Sequence, residues 1–179
     1  MPYDQSGAEY KRSCPGLEMN DEKRPDILMY TITQEGRERT LLSLMPLDDG
    51  FERGIPTEAI LGELSDVTAG LTEENFTANV AFIKFMHESI ATHVRSCPSL
   101  IERAKRLGEG QLPLLDGRIP AGQKKVNAAD VLGFAQVENA RIVRYTACMQ
   151  HKLVYQDQVV RFEPFLYERM LGDLLRISE

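Results

Sequence analysis

Five β-rich runs, separated by short polar turns, restrict the folds that this chain of 179 residues can adopt. They occupy 27–33, 40–47, 131–137, 140–155 and 159–162. The first two flank a glycine-containing polar stretch, which indicates a hairpin. The last three follow one another with only short turns between them. Successive hairpins without alternating strand–helix units indicate antiparallel rather than parallel sheets.

Helical periodicity fills much of the remaining chain. We expect a short helix at 57–64, a long one at 72–96 that is capped by Thr72 and continues as a second piece from Pro98, and a terminal helix that begins at Pro164. The predicted order is therefore β-β-α-α-β-β-β-α. This order predicts an α+β fold, with an antiparallel sheet and the helices packed on one face.

Three segments stand apart from these elements. Residues 1–26 are polar, so we expect a loosely ordered N-terminal arm, followed by a single domain at 27–179. The stretch 108–128 is rich in glycine and proline, and it either holds short strands or forms a mobile loop. The run at 140–155 is long for one strand, so we expect a bend or bulge at 146–148.

Composition narrows the classes of partner. The net charge is −6, the pI is about 5.2, and no stretch gathers Lys and Arg into a basic stripe. Nucleic acid and anionic membrane are therefore not expected as partners, because both require a positive surface. Three cysteines are too few for a disulfide scaffold, and no window is apolar enough for a membrane span. We therefore expect a soluble, acidic, cytoplasmic protein with free thiols.

Four of the six cysteine and histidine residues lie in two short clusters, which raises the question of a zinc site. His93 and Cys97 are four positions apart, so a helix would place both on one face. Cys97 could instead cap the helix that begins at Pro98, which would lower its pKa. Cys148 and His151 are three apart, so a regular strand would point them to opposite faces. We therefore expect no metal ion, unless the strand breaks at that point.

Other motifs for catalysis or cofactor binding are incomplete. A nucleophilic Cys148 with His151 as its base meets the same geometric objection. The stretch that contains Lys124 and Lys125 lacks the glycine spacing and the Ser or Thr of a phosphate loop, and His87 has no second histidine four positions later. We accordingly predict no catalytic residue, no cofactor and no metal ligand.

Two hypotheses for function remain. The first is a non-enzymatic domain that binds another protein or itself through the sheet at 131–162. The second is a small-ligand domain or enzyme with a pocket between the helix at 72–96 and that sheet, covered by the 108–128 loop. The polar groups of such a pocket would be His87, His93, Tyr145 and His151.

Overall fold

A computed structural model describes residues 9–14, 17–19, 22–45, 55–120 and 122–177. Within these ranges the strands are β1 (Glu9–Cys14), β2 (Leu17–Met19), β3 (Glu22–Arg24), β4 (Leu28–Gln34), β5 (Arg37–Ser43), β6 (Ile60–Leu64), β7 (Phe76–Ala78), β8 (Gly110–Leu115), β9 (Val131–Glu138), β10 (Arg141–Ala147), β11 (Val154–Tyr155) and β12 (Gln158–Val159). The helices are α1 (Val80–His93), α2 (Pro98–Leu107) and α3 (Pro164–Ile177). Every strand pairing among these elements that is described residue by residue is antiparallel. The predicted α+β class is confirmed, with more sheets than expected.

The chain divides into two compact units. Among the described residues, unit 1 comprises those up to residue 85, those at 156–158 and those from residue 171 onward, and unit 2 comprises those at 86–155 and 159–170. The boundary passes through α1 and α3, so both helices contribute to both units. The expected extent of one domain, 27–179, stays a prediction.

Unit 1 contains a five-stranded sheet in the order β1-β4-β5-β6-β7. The predicted hairpin is confirmed as β4 and β5, in which Leu28, Tyr30 and Ile32 alternate inward. Residues 9–14 of the expected arm form β1 and pair with β4. The first eight residues of that arm lie outside the part of the chain that the structure describes.

The helix expected at 57–64 is wrong. Residues 57–59 form one 3-10 turn, and Ile60–Leu64 is the strand β6, which lies between β5 and β7. Four of its five residues are buried, as in a strand covered on both faces. A Cβ atom on Gly62 would lie 2.5 Å from the Phe76 ring, so the pairing of β6 with β7 requires glycine there.

The helix expected at 72–96 begins eight residues later, at Val80. The Thr72 hydroxyl accepts the N–H of Asn75, as a helix cap would, but the chain then enters β7. The cap of α1 is Asn79, whose Oδ1 accepts the N–H of Ala81 at 3.1 Å. Beyond His93 the helix tightens into a 3-10 turn that ends at Ser96.

Unit 2 is built on a three-stranded sheet in the order β10-β9-β8. Helix α2 begins at Pro98, as predicted, and contacts β8 and β10. The stretch 108–128 contains β8, which confirms the first of its two expected states. The expected bend at 146–148 is also confirmed, because β10 ends at Ala147 and a turn follows.

The C-terminal segment is partly as expected. Helix α3 begins at Pro164 and buries Leu166, Met170 and Leu174. The strand expected at 159–162 is wrong, because only Val159 of that run belongs to β12. No helix in the described part of the chain is long and apolar enough to cross a membrane.

Candidate functional site

The two faces of the β8–β9–β10 sheet differ sharply in exposure. One face buries residues that alternate along the strands, and α2 and the second half of α1 lie against it. It consists of Leu112, Leu114, Gly133, Ala135, Val137, Ile142 and Tyr145. Val143 was expected beside Tyr145, but a bulge between Ile142 and Arg144 turns it outward. The bulge therefore buries Ile142 in its place.

The opposite face, which we name the open face, consists of two rows of cross-strand neighbours. These rows are Gln111–Gln136–Arg144 and Pro113–Phe134–Thr146. Gln111, Arg144 and Thr146 are exposed, and the other three are half-buried. The six side chains include one cation and no carboxylate, and the adjacent cross-strand pair Glu138–Arg141 continues this side of the sheet with one charge of each sign. The open face therefore has an apolar centre with a polar border of mixed charge, in which cations outnumber carboxylates by one.

Both edges of this sheet are occupied at a carbonyl group. Arg95, just before α2, donates to the carbonyl of Val143 on β10. Arg103 on α2 donates to the carbonyl of Pro113 on β8 at 2.9 Å. Pro113 also has no N–H to offer a further strand. These contacts disfavour the addition of a strand at either edge.

A buried charge network lies where β8 ends. Asp116 follows β8, and its side chain is fully buried. Its Oδ2 lies 3.0 Å from His151 Nε2 and 3.5 Å from Arg118 Nε. Its Oδ1 accepts the backbone N–H groups of Arg118 and Arg161. The carboxylate is therefore held by two side chains and two amides.

Arg118 joins two further segments, 129–130 and 152–153, to this network. Its side chain is only 4% exposed, and its Nε donates to Asp130 Oδ1 at 2.8 Å. The guanidinium also donates to the carbonyl oxygens of Ala129, Lys152 and Leu153. Since both carboxylates and the guanidinium are engaged with one another, the arrangement acts as a structural clamp.

His151, a candidate from the sequence, is part of this clamp through Asp116. Its side chain is 3% exposed. It lies inward because strand β10 ends at Ala147 and the chain then turns. Cys148, the candidate nucleophile, donates to the carbonyl of Ala128 at 3.7 Å. The structure therefore gives each of these two residues a separate partner within the fold.

His87 and Tyr145, two other candidates, are in contact. His87 Nδ1 lies 2.9 Å from the Tyr145 hydroxyl, which donates to the carbonyl of Leu132 at 3.1 Å. The Tyr145 hydroxyl has one proton, and it donates that proton to the carbonyl of Leu132. The hydrogen bond between His87 and Tyr145 must therefore be donated by His87, so we place a proton on His87 Nδ1. Burial, and then the nearby Cys148, raise the pKa of Tyr145. Both side chains thus stay neutral near pH 7.

We expect His87 to make the protein less stable in mild acid. Burial, and secondarily the electrostatic effect of the nearby His151, hold the pKa of His87 below the ordinary value of 6.5. Protonation therefore favours the unfolded chain, and stability falls as the pH drops below 6.5 and through the folded pKa. Urea unfolding of the wild type at pH 7 and pH 5 should show this loss. His87→Asn, which keeps a donor at the Nδ1 position, should lose less; an equal loss in both proteins would contradict the assignment.

Cys97 lies between the beginnings of two helices. It is the N-cap residue of α2, and its thiol lies 3.4 Å from Glu163 Oε2. Glu163 in turn caps α3 through the N–H of Leu166. Burial raises the pKa of the Cys97 thiol, so the lowered pKa considered for a capping cysteine is wrong.

The four residues of the two Cys/His clusters do not assemble into one site. Cys97 contacts Ser99 and Glu163, while His151 contacts Asp116. Across the described ranges, no three His, Cys, Asp or Glu side chains are placed to hold a metal ion. His93 lies at the end of α1, half-buried.

Unit 2 contains an open pocket of about 500 Å³. It does not lie where the pocket was predicted, between the helix at 72–96 and the sheet. Its walls are α2, the turn before α2, and the hairpin turn between β9 and β10. None of the four polar residues expected in a pocket lines it, nor does any residue of the 108–128 loop. Arg95, Lys105 and Arg141 line it instead.

Sequence reasoning missed Asp116, Arg118 and the three cations of the pocket. Asp116-Gly117 looks like an ordinary turn, and the partners of Arg118 come from segments up to 35 residues away. The one available signal was a carboxylate directly after a run of leucines, at the end of β8. Comparison with known protein families, with curated proteins and with solved structures finds no match for this chain.

Proposed function

We propose that this chain is a non-enzymatic binding domain that engages a protein partner through the open face of the β8–β9–β10 sheet. The observation that carries the proposal is the apolar pair Pro113 and Phe134, directly opposite each other and bordered by polar side chains. Protein interfaces have this organisation, with an apolar centre and a polar rim. Aromatic and arginine side chains such as Phe134 and Arg144 are the usual energetic anchors.

Charge favours an acidic partner over a second copy of the chain. The open face with its adjacent pair Glu138–Arg141 carries two arginines and one carboxylate, whereas the whole chain has a net charge of −6. Two copies meeting face to face would bring two Arg144 side chains together. The two chains would also repel each other, because both have a negative net charge. A partner with carboxylates around an apolar anchor complements the face instead.

The edges of the sheet indicate that a partner binds to the open face rather than as an added strand. The carbonyls of Val143 and Pro113 are occupied at the two edges, so a partner peptide gains little by adding as a strand. Met149 is 91% exposed in the turn after β10 and adds apolar surface near that strand. We place this binding in the cytoplasm, in keeping with the acidic composition and the free thiols of Cys97 and Cys148.

Affinity purification with quantitative mass spectrometry tests the proposal. The baits are the wild type, Arg144→Glu, Phe134→Ser, and the control Lys124→Glu. Lys124 is exposed outside the open face, and its replacement changes the charge by the same amount as Arg144→Glu. We expect a partner with an acidic surface that both open-face variants lose by about tenfold or more, because anchor substitutions typically cost that much. The control should retain it.

Two outcomes would overturn the proposal. A set of partners that is the same for all four baits would remove the open face from the interaction. Light scattering that shows a dimer in the wild type and a monomer in Arg144→Glu would assign the face to a second copy. Circular dichroism of each bait confirms that the variants are folded before they are compared.

A further inference from the structure

The pocket of unit 2 has an apolar floor and a cationic rim. Ile101 and Ala104 on α2, together with Ile142 on β10, form the apolar part. Arg95, Lys105 and Arg141 are all exposed and lie around it. Its volume of about 500 Å³ lies in the range of small-molecule sites. The combination suits a ligand with an apolar body and an anionic group.

The three cations are only weakly neutralised by the protein. Lys105 pairs with Glu102 at 2.8 Å, but both side chains are about 60% exposed, and such pairs contribute little. Neither Arg95 nor Arg141 forms an ion pair among the residues that the structure describes, although Glu138 lies opposite Arg141 in the register of β9 and β10. The hydrogen bond from Arg95 to Val143 fixes the guanidinium and leaves other N–H groups for a ligand. In a chain of net charge −6, this is a local excess of positive charge.

The turn at the rim is held in a defined conformation. Asn139 and Ala140 have φ angles of 50° and 59°, in the left-handed region that alanine rarely adopts. The Ala140 N–H donates to the carbonyl of Gly108 at 2.7 Å, just beyond the end of α2. This bond connects the two walls of the pocket directly. The site is therefore preorganised, which lowers the entropic cost of binding.

We infer that this pocket binds a small molecule that carries a phosphate group on an apolar body. A phosphate monoester carries nearly two negative charges near pH 7, so it can engage three cations better than a carboxylate can. Arginine forks match the geometry of phosphate oxygens. The apolar body would contact Ile101, Ala104 and Ile142. This site shares no side chain with the open face, so the inference does not depend on the proposed protein partner.

Isothermal titration calorimetry on the full chain, at constant ionic strength, tests the inference. The probes are phenyl phosphate, inorganic phosphate and benzoate. We expect phenyl phosphate to bind most tightly, because it alone supplies both the dianion and the ring. Arg141→Gln and Lys105→Gln should each weaken it by about tenfold, as expected for loss of a charge-assisted hydrogen bond. Lys124→Gln removes the same charge outside the pocket and should change the affinity less than twofold.

The outcomes separate the parts of the inference. Equal binding of benzoate would overturn the choice of phosphate, and equal binding of inorganic phosphate would overturn the apolar body. Absence of saturable binding by all three probes, or an equal effect of Lys124→Gln, would falsify the site itself. Phe134→Ser, a variant of the open face, should bind phenyl phosphate like the wild type, so a failure of one proposal leaves the other testable.

Discussion

Replacing Arg118 by methionine should lower the free energy of unfolding by about 3–5 kcal/mol, the usual loss when one partner of a buried ion pair is removed. The variant leaves Asp116 and Asp130 without their cation, in a site where the Asp116 side chain is fully buried. It also removes a donor from the carbonyl groups of Ala129, Lys152 and Leu153, of which those of Ala129 and Leu153 each keep a backbone N–H. Urea unfolding followed by circular dichroism measures the loss.

Two comparisons sharpen this prediction. Arg144→Met removes an exposed arginine and should change the unfolding free energy by about 0.5 kcal/mol at most. Adding Asp116→Asn and Asp130→Asn to Arg118→Met should restore part of the lost stability, because the stranded carboxylates cause much of it. A single Arg118→Met variant as stable as the wild type would show that the clamp contributes no net stability.

Replacing Asn79 by alanine should have the second largest effect, about 2–4 kcal/mol, as the sum of a lost helix cap and two lost side-chain hydrogen bonds to carbonyl groups. The Asn79 side chain caps α1 through Ala81, and its amide donates to the carbonyls of Thr57 and Ile60 at 2.8 and 2.7 Å. It therefore joins the start of the helix to the segment that leads into β6. The shift of the urea midpoint measures the loss.

Asn79→Asp separates the two roles of this residue. Aspartate is a good helix cap, so the variant should be as stable as the wild type if capping were the main role. A carboxylate facing the carbonyls of Thr57 and Ile60 is repulsive, however, and we expect this variant to lose at least as much stability as Asn79→Ala. A stable Asn79→Asp protein would contradict the bridging role.

The confirmed parts of the fold come from local signals. Pro98 and Pro164 begin helices because proline suits the first helical turn, and alternation along β4 indicates one buried face. The wrong predictions concern segments whose secondary structure depends on contacts with residues distant in the sequence. Residues 57–64 are as compatible with a helix as with a strand, and the packing of Phe76 against Gly62 selects the strand.

The helix boundary and the clamp show two further limits. Thr72 and Asn79 are both valid capping residues, and the pairing of β7 with β6 decides between them. The clamp follows no sequence period, because the acceptors of Arg118 come from two separate segments, 129–130 and 152–153. The residues that line the pocket likewise come from a helix and from a hairpin turn distant in the sequence, so no local pattern of residues predicts the pocket.

The long reach of Arg118 also has a consequence for the order in which the protein is completed during synthesis. Two of its acceptors, the carbonyls of Lys152 and Leu153, are made more than thirty residues later than Arg118 itself. Asp116 similarly awaits the amide of Arg161. While the ribosome is still adding these residues, the emerging chain holds charged groups whose final neighbours do not yet exist. Unit 2 should therefore acquire its native structure only after synthesis has passed residue 161.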